Sequence, residues 1–268
     1  MMETLHYLQH HLPPLAFEVF RLSVWLVLLT VIFVPLERIF ALHRQKIARK
    51  AIWTDLAYYF LNSILPGIVL AVPVALIAAA AHRFMPYRIH TLVGGLPGWA
   101  QVSAFFVVSQ IGFYWGHRWS HEVPLLWRFH AVHHSAPEID WLVNTRAHPV
   151  DMIFTRFCGI APIYLLGLTQ TATPAAIILI GTVWGFFIHA NVRWRFGWLE
   201  WLVATPAFHH WHHSRTDHPD HNYAAILPFL DVLFATYYTP PRAWPEDYGI
   251  NAPMPGNIAG QLLEPILA

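Results

Sequence analysis

Trp99-Ala-Gln-Val-Ser-Ala-Phe-Phe-Val-Val-Ser-Gln-Ile-Gly-Phe-Tyr-Trp-Gly116 runs without a charge directly into His117-Arg-Trp-Ser-His121. On a helix, residues four apart share a face with Cβ atoms roughly 5–6 Å apart, so this apolar run delivers two imidazoles pointing the same way. Two further clusters follow, His130-x2-His133-His134 and His209-x2-His212-His213. In each, the first histidine has partners at both i+3 and i+4, so three imidazoles fan from one face. A histidine beside lipid is costly unless it pairs, binds a metal or faces a protein-lined site. A polar metal centre at one membrane face accounts for all eight together.

The composition supports a membrane setting. Of 268 residues, 56% are hydrophobic and only 12% charged, against roughly 25% charged in an ordinary soluble domain. The net charge of +1 offers no broad basic face, so nucleic acid is not an expected partner. A single cysteine, Cys158, excludes an intramolecular disulfide and a cysteine-based zinc or iron–sulfur site. Glu3, His6, His10 and His11 precede the first apolar run, which lacks a small-residue cleavage site and reads as a retained anchor.

Phe17–Phe40 reaches spanning length if Arg21 and Glu37–Arg38 lie near the interfaces. Leu56–Ala81 holds 26 residues without a formal charge. At 1.5 Å per residue it exceeds a core of about 30 Å, so a tilt or a break at Pro66-Gly67 or Pro73 is expected. Trp99–Gly116 is the third run. Phe157–Leu168 and Ala175–Ala190 are short for full crossings and read as a fourth and fifth span or as a hairpin that dips and returns. The loop between the first two runs carries five Arg/Lys, from Arg38 to Lys50, and the next carries two, Arg83 and Arg88. The positive-inside rule then puts the N-terminus outside and His117 on the cytoplasmic side. The expected fold is therefore all-α: a multi-span membrane protein with a cytoplasmic helical cap holding the histidines. Its expected organisation is transmembrane helices over 1–100, a catalytic domain over 101–240, and a Pro-rich tail without periodicity over 241–268.

Eight imidazoles are too many for one ion, since zinc takes four ligands and octahedral iron six. Two nearby metals are implied, and imidazole suits zinc and iron alike. A zinc hydrolase commonly carries a general base within His-Glu-x-x-His. Here Arg118 follows His117 and Glu122 lies outside the pair, which weakens a membrane-protease reading.

The sequence from roughly Phe105 to Tyr238 resembles the fatty acid hydroxylase/sterol desaturase superfamily of integral-membrane di-iron enzymes. The resemblance rests on an ordered set: Tyr114-Trp-Gly-His117-Arg118-Trp-Ser-His121, Phe129-His130-Ala-Val-His133-His134-Ser135 and Thr145-Arg146-Ala-His148-Pro149 come first. His189-Ala-Asn191, Thr205-Pro206, His209-His210-Trp-His212-His213-Ser214, Asn222-Tyr223 and Leu230-Asp231-Val-Leu-Phe234-Ala-Thr236-Tyr237 follow. It implies that His117, His121, His130, His133, His134, His209, His212 and His213 hold two irons that activate O2, with His189 as a ninth ligand. His148 occupies a family position as a metal ligand or a supporting residue. Asn191 is a candidate to hold a metal-bound water or orient a ligand. His210, inserted between ligand positions, reads as a surface or supporting residue. Arg118 and Arg146 read either as counter-charges for nearby acids such as Asp140 or Asp151 or, equally well, as residues held by packing or lipid-headgroup contact. Ala224 and Ala235 replace family glycines, which asks for a backbone without positive φ there. His189-x-Asn191 stands where some relatives have His-x3-His, so the second metal is expected to have one nitrogen ligand fewer.

The implied activity is O2-dependent hydroxylation or desaturation of a membrane lipid, such as a fatty acyl chain, sterol or carotenoid. Two iron ions are the implied cofactor, with zinc able to replace them in purified protein. No nucleotide, flavin or haem motif is present, so electrons are expected from a separate ferredoxin or a cytochrome b5-like protein with its reductase. Nine tryptophans between Trp115 and Trp211 are candidates to line a lipid channel, although tryptophan crowds every membrane interface. A metal-dependent membrane hydrolase and a histidine-relay metal or proton transporter stand as the alternatives.

Overall fold

Pro14, Pro124, Pro149 and Pro206 each sit in the first turn of a helix, where a missing N–H costs nothing and the fixed φ is already helical. The computed structural model describes residues 7, 9–168, 174–216 and 220–267, and its regular structure there is helical apart from two isolated β-bridges. The order is α1 (Pro14–Phe40), α2 (Ile52–Val69), α3 (Ala71–Phe84), α4 (Tyr87–Gly94), α5 (Gly98–Glu122) and α6 (Pro124–His134). A 3-10 turn, Trp141–Thr145, precedes α7 (Pro149–Leu165) and α8 (Pro174–His189). A second, Gly197–Trp201, precedes α9 (Pro206–His212), α10 (Phe229–Leu233) and α11 (Ile258–Leu267).

Among the described residues two stretches are long and apolar enough to cross a membrane, Pro14–Phe40 and Ile52–Phe84, and α4 with α5 makes a third if that pair, bent by 117°, is one span. Val27, Val31, Val72 and Leu76 are all exposed. An apolar outer face of that kind fits lipid rather than water. The expected break in the second run falls at Leu70, between Pro66 and Pro73. Pro73 has no N–H to offer the carbonyl four residues back, but the Leu70 N–H still donates to the Pro66 carbonyl at 2.9 Å, so the chain stays hydrogen-bonded across the junction. At 17 and 16 residues, α7 and α8 are short for crossings.

At α5 and α7 two helix backbones approach closely. A β-carbon at Gly112 would overlap the Cys158 carbonyl, and one at Gly116 would lie 2.7 Å from the Cys158 Cβ. Gly159 faces back toward the Ser109 carbonyl. Small residues at such a crossing let two backbones approach, and dispersion replaces the hydrophobic drive that lipid removes.

A second anchor is ionic. Asp55 on α2 pairs with Arg49 at 2.5 Å and Arg146 at 2.6 Å, and Arg49 also reaches Asp140 at 2.5 Å. All four side chains are buried, where unpaired charge is prohibitive and mutual pairing is required. Arg146 therefore answers Asp55, not Asp140 or Asp151 as expected, and Arg118 pairs with Glu122 at 2.7 Å. Sequence separation hid only the first partner: Asp55 lies 91 residues from Arg146, whereas Glu122 is four residues from Arg118. The 241–268 tail also departs from expectation. It ends in α11, whose start is held by the Asn257 side chain accepting from the Gly260 N–H at 2.9 Å, and which packs on α2 and α6.

Candidate metal centre

Each histidine cluster rides on an element whose position is fixed elsewhere. His117 and His121 lie in the last two turns of α5, held by its crossing with α7. His130, His133 and His134 end α6. His189 is the last residue of α8. His209 and His212 lie on α9, whose start is capped by the Thr205 hydroxyl, and His213 follows it.

The nine imidazoles separate into two groups. His117, His121, His130, His134 and His212 form one, and His133, His189, His209 and His213 the other; within each group one ligand atom per residue lies within 4.8 Å of all the rest. The groups adjoin, with the His134 and His213 rings stacked at 4.5 Å between centroids.

Outer hydrogen bonds decide which nitrogen faces inward. Nδ1 of His117 donates to the Tyr223 carbonyl at 2.7 Å, that of His133 to the Arg146 carbonyl at 2.8 Å, that of His189 to the Gly185 carbonyl at 2.7 Å, and that of His212 to the His221 carbonyl at 2.8 Å. The Nδ1 atoms of His130 and His121 meet carboxylates, Asp151 at 3.0 Å and Asp220 at 3.2 Å. A neutral imidazole carrying its proton on Nδ1 presents a bare lone pair at Nε2. Those lone pairs converge. Nε2 of His130 stands 3.2 Å from that of His117 and 3.1 Å from that of His134. In the other group, Nε2 of His189 stands 3.0 Å from His209, 3.2 Å from His213 and 3.3 Å from His133. The buried Nε2 atoms of His121 and His212 have no hydrogen-bond partner.

Facing acceptors repel, and buried acceptors without donors are costly. A cation between them removes both penalties. Two nitrogens each about 2.1 Å from one ion stand about 3.0 Å apart at a right angle and about 3.4 Å apart at the tetrahedral angle. The separations found fall in that interval, so the residues present fit metal ions. Burial, reinforced by neighbouring imidazoles, pushes His133 down from 6.5 to about 4 and holds His212 and His213 well below their ordinary value. Neutral imidazole is the form that ligates.

Two sequence-derived candidates, His148 and Asn191, lie apart from the groups, as does His210, which the sequence reads as a surface or supporting residue. His148 is buried but caps α7: its Nδ1 accepts from the Val150 N–H at 3.1 Å and its Nε2 meets the Leu262 carbonyl at 3.2 Å. Asn191 spends its amide on His43, accepting from its N–H at 2.9 Å and donating to its carbonyl at 2.7 Å, and is not aimed at the imidazoles. His210 is fully buried, not a surface residue, between the Tyr248 hydroxyl at 3.0 Å and the Ala190 carbonyl at 3.1 Å. Next to His209 in sequence, it points off the ligand face because helical spacing turns it by about 100°.

The supporting residues were harder to read. Asp151, read from the sequence as an acid for Arg118 or Arg146, stands instead beside His130. Asp231 accepts from the Tyr223 and Ala224 N–H groups at 2.7 and 2.9 Å and from the Thr236 hydroxyl at 2.7 Å, which fixes the Tyr223 carbonyl that holds His117. Ala235 corrects an expectation. Its φ is +58°, so an alanine does occupy the glycine-type conformation there, while Ala224 is not among the positive-φ residues. Thr236 N and Tyr237 N both donate to the Asp231 carbonyl, and this local closure imposes the turn.

The family model described as fatty acid hydroxylase matches residues 102–236. Ornithine lipid hydroxylase OlsE of Rhizobium tropici is 32% identical, over 93% of this chain and 79% of its own length. Human alkylglycerol monooxygenase is 33% identical over 56% of this chain and 33% of its own length. Methylsterol monooxygenase 2-2 of Arabidopsis thaliana is 29% identical over 53% of this chain and 55% of its own. No solved structure matches the chain.

Proposed function

The chain belongs to the fatty acid hydroxylase/sterol desaturase superfamily, and from that premise we propose that it is an O2-dependent hydroxylase of a membrane lipid. Two iron ions would be held by the five-histidine and four-histidine groups, with electrons supplied by a separate redox protein of the ferredoxin or cytochrome b5 type. The observation that carries the proposal is the convergence of inward Nε2 lone pairs in two adjoining buried groups. Bound there, iron supplies the O2 chemistry that an unactivated C–H bond requires.

The chain's own residues supply orientation and exclusion of water. Carbonyls of Tyr223, Arg146, Gly185 and His221 and the Asp151 carboxylate hold the imidazoles in one tautomer, which raises their basicity as ligands. An apolar groove of about 710 Å³ between α5 and α7, walled by Val108, Ile111, Trp115 and Phe157, supports a hydrocarbon substrate. The names of the relatives, hydroxylase and monooxygenase, favour oxygen insertion over desaturation. We place the metal groups on the cytoplasmic side, where a soluble donor reaches them. Four exposed cations, Arg38, Arg44, Lys46 and Lys50, support that side for the first loop; Arg49, paired and buried, does not count toward it.

The test is comparative lipidomics of a deletion strain carrying wild-type protein or the double variant His130→Ala/His133→Ala, grown with ¹⁸O2. A hydroxylated lipid carrying the label with wild type alone is expected, and purified wild type should hold close to two ions per chain. Product formed without O2 and without an electron donor would overturn the reading, as would a metal content unchanged by His209→Ala.

A further inference from the structure

Away from the two histidine groups, a cavity of about 650 Å³ opens between α1, α2 and the loop that joins them. Its two ends differ in chemistry. On α1 the wall is Leu26, Thr30, Val34 and Arg38, successive i+4 positions and so one continuous stripe that ends in a guanidinium. Ile52 and Leu56 face it from α2. Beyond Arg38, the loop adds Arg44 and Lys46 to the same wall. Arg193 completes it, placed there by the bridge of Val192 to Ala41 and by its own N–H donating to the Phe40 carbonyl at 2.9 Å.

The charge at that end is not neutralised. The wall contains two carboxylates. Asp140 is taken by Arg49, and Glu37 accepts from the Trp141 and Asn191 N–H groups at 2.8 and 2.9 Å. Among the described residues, none of Arg38, Arg44, Lys46 and Arg193 pairs with a carboxylate; Arg38 donates only to the Gln45 carbonyl, at 3.0 Å. From Leu26 to Arg38 the stripe is about 18 Å long. Four cations lining one end of a cavity whose other end runs along Leu26, Thr30 and Val34 of a membrane-length helix match an amphiphile better than a soluble anion.

We propose that this cavity binds one membrane lipid with an acidic headgroup, a phosphate or carboxylate held by Arg44, Lys46, Arg38 and Arg193, with one chain lying along Leu26, Thr30 and Val34. Basic pockets between membrane helices recognise anionic headgroups in this way. The site is separate from the histidine groups, and the binding does not depend on the reaction proposed above.

The experiment is a native mass-spectrometry titration of the full chain in detergent with three probes: phosphatidylglycerol, phosphatidylcholine of the same chain length, and deacylated glycerophosphoglycerol. Phosphatidylglycerol is expected to bind at one site, and the other two at least tenfold more weakly. Each basic group near a membrane surface contributes about 1 kcal/mol, so Arg44→Gln/Lys46→Gln/Arg193→Gln should lose on the order of 100-fold in affinity. Lys50→Gln, an exposed cation outside the cavity, should change nothing. Thr30→Trp, which fills the groove from an exposed position, should weaken phosphatidylglycerol and leave the deacylated headgroup unaffected. Equal binding of phosphatidylglycerol and phosphatidylcholine, or an equal loss in Lys50→Gln, would overturn the proposal. Tight binding of the deacylated headgroup would also overturn it, because the chain would then have no place in the site. All of these readouts are independent of hydroxylase activity, so a failure here leaves the assigned chemistry standing, and the reverse.

Discussion

Asp151 accepts the Nδ1 proton of His130 at 3.0 Å from the first turn of α7, while the Ser120 hydroxyl donates to its other oxygen at 3.2 Å. The carboxylate thus sits behind the imidazole whose Nε2 lies within 3.2 Å of two others in the five-histidine group. Replacing Asp151 by Asn keeps the shape and removes the charge. A roughly 10–100-fold weaker hold on the ion at that group is expected, with the other ion retained. Competition with a chromophoric chelator, resolved into a weak and a tight phase, checks this; two unchanged phases would show that the carboxylate does not support the site.

Gly112 allows α5 to meet the Cys158 carbonyl of α7 without a β-carbon between them. Gly112→Ala must therefore push the two helices apart, and a loss of about 1–3 kcal/mol is expected, the usual range for overpacking. Gly98 provides the control, since nothing lies within 4 Å of a β-carbon built there. Thermal unfolding in detergent should place the Gly112 variant well below wild type and the Gly98→Ala variant close to it.

Ala235 holds φ at +58°, a conformation that costs a residue with a β-carbon roughly 1–2 kcal/mol. Glycine removes that cost but gains freedom in the unfolded chain, worth about 0.4–1 kcal/mol in the other direction. Ala235→Gly is expected to be neutral to mildly stabilising, in contrast to most glycine substitutions. A chemical-denaturation midpoint that falls by a clear margin would contradict the strain argument.

Protonation supplies a fourth prediction. Burial lowers His210 from 6.5 to about 3 and His133 to about 4. Below pH 6.5 the unfolded chain binds protons that the folded chain refuses, so stability falls as pH drops from 6.5 toward 3 and is fully present above 6.5. Asp231 acts in the opposite sense, because burial raises it from 3.8 to about 7 and its contribution is lost as pH rises across that interval. The histidines outnumber it, so metal-stripped protein should unfold more readily in acid, and His210→Phe should flatten the slope. Unfolding midpoints between pH 4 and pH 8 measure both.

Local periodicity alone made much of this protein legible. The apolar runs and the i, i+3 and i+4 spacing of the histidines depend on nothing beyond a helix, so the all-α class and the two membrane-length stretches could be read directly. The face shared by His117 with His121, and the i, i+4 pair of His209 with His213, could be read in the same way. What only the tertiary structure decided is which faces meet. Helical spacing does not say that His212 joins the group of His117 while its neighbour His213 joins that of His189, because that division is set by how α9 docks between α5 and α8. Nor does it separate His148, turned to cap α7, from the imidazoles that converge, or pair Arg146 with Asp55 across 91 residues. Spacing along a chain is a short-range property; the partner across a buried interface is chosen by packing and by the need of every buried charge and lone pair for a complement.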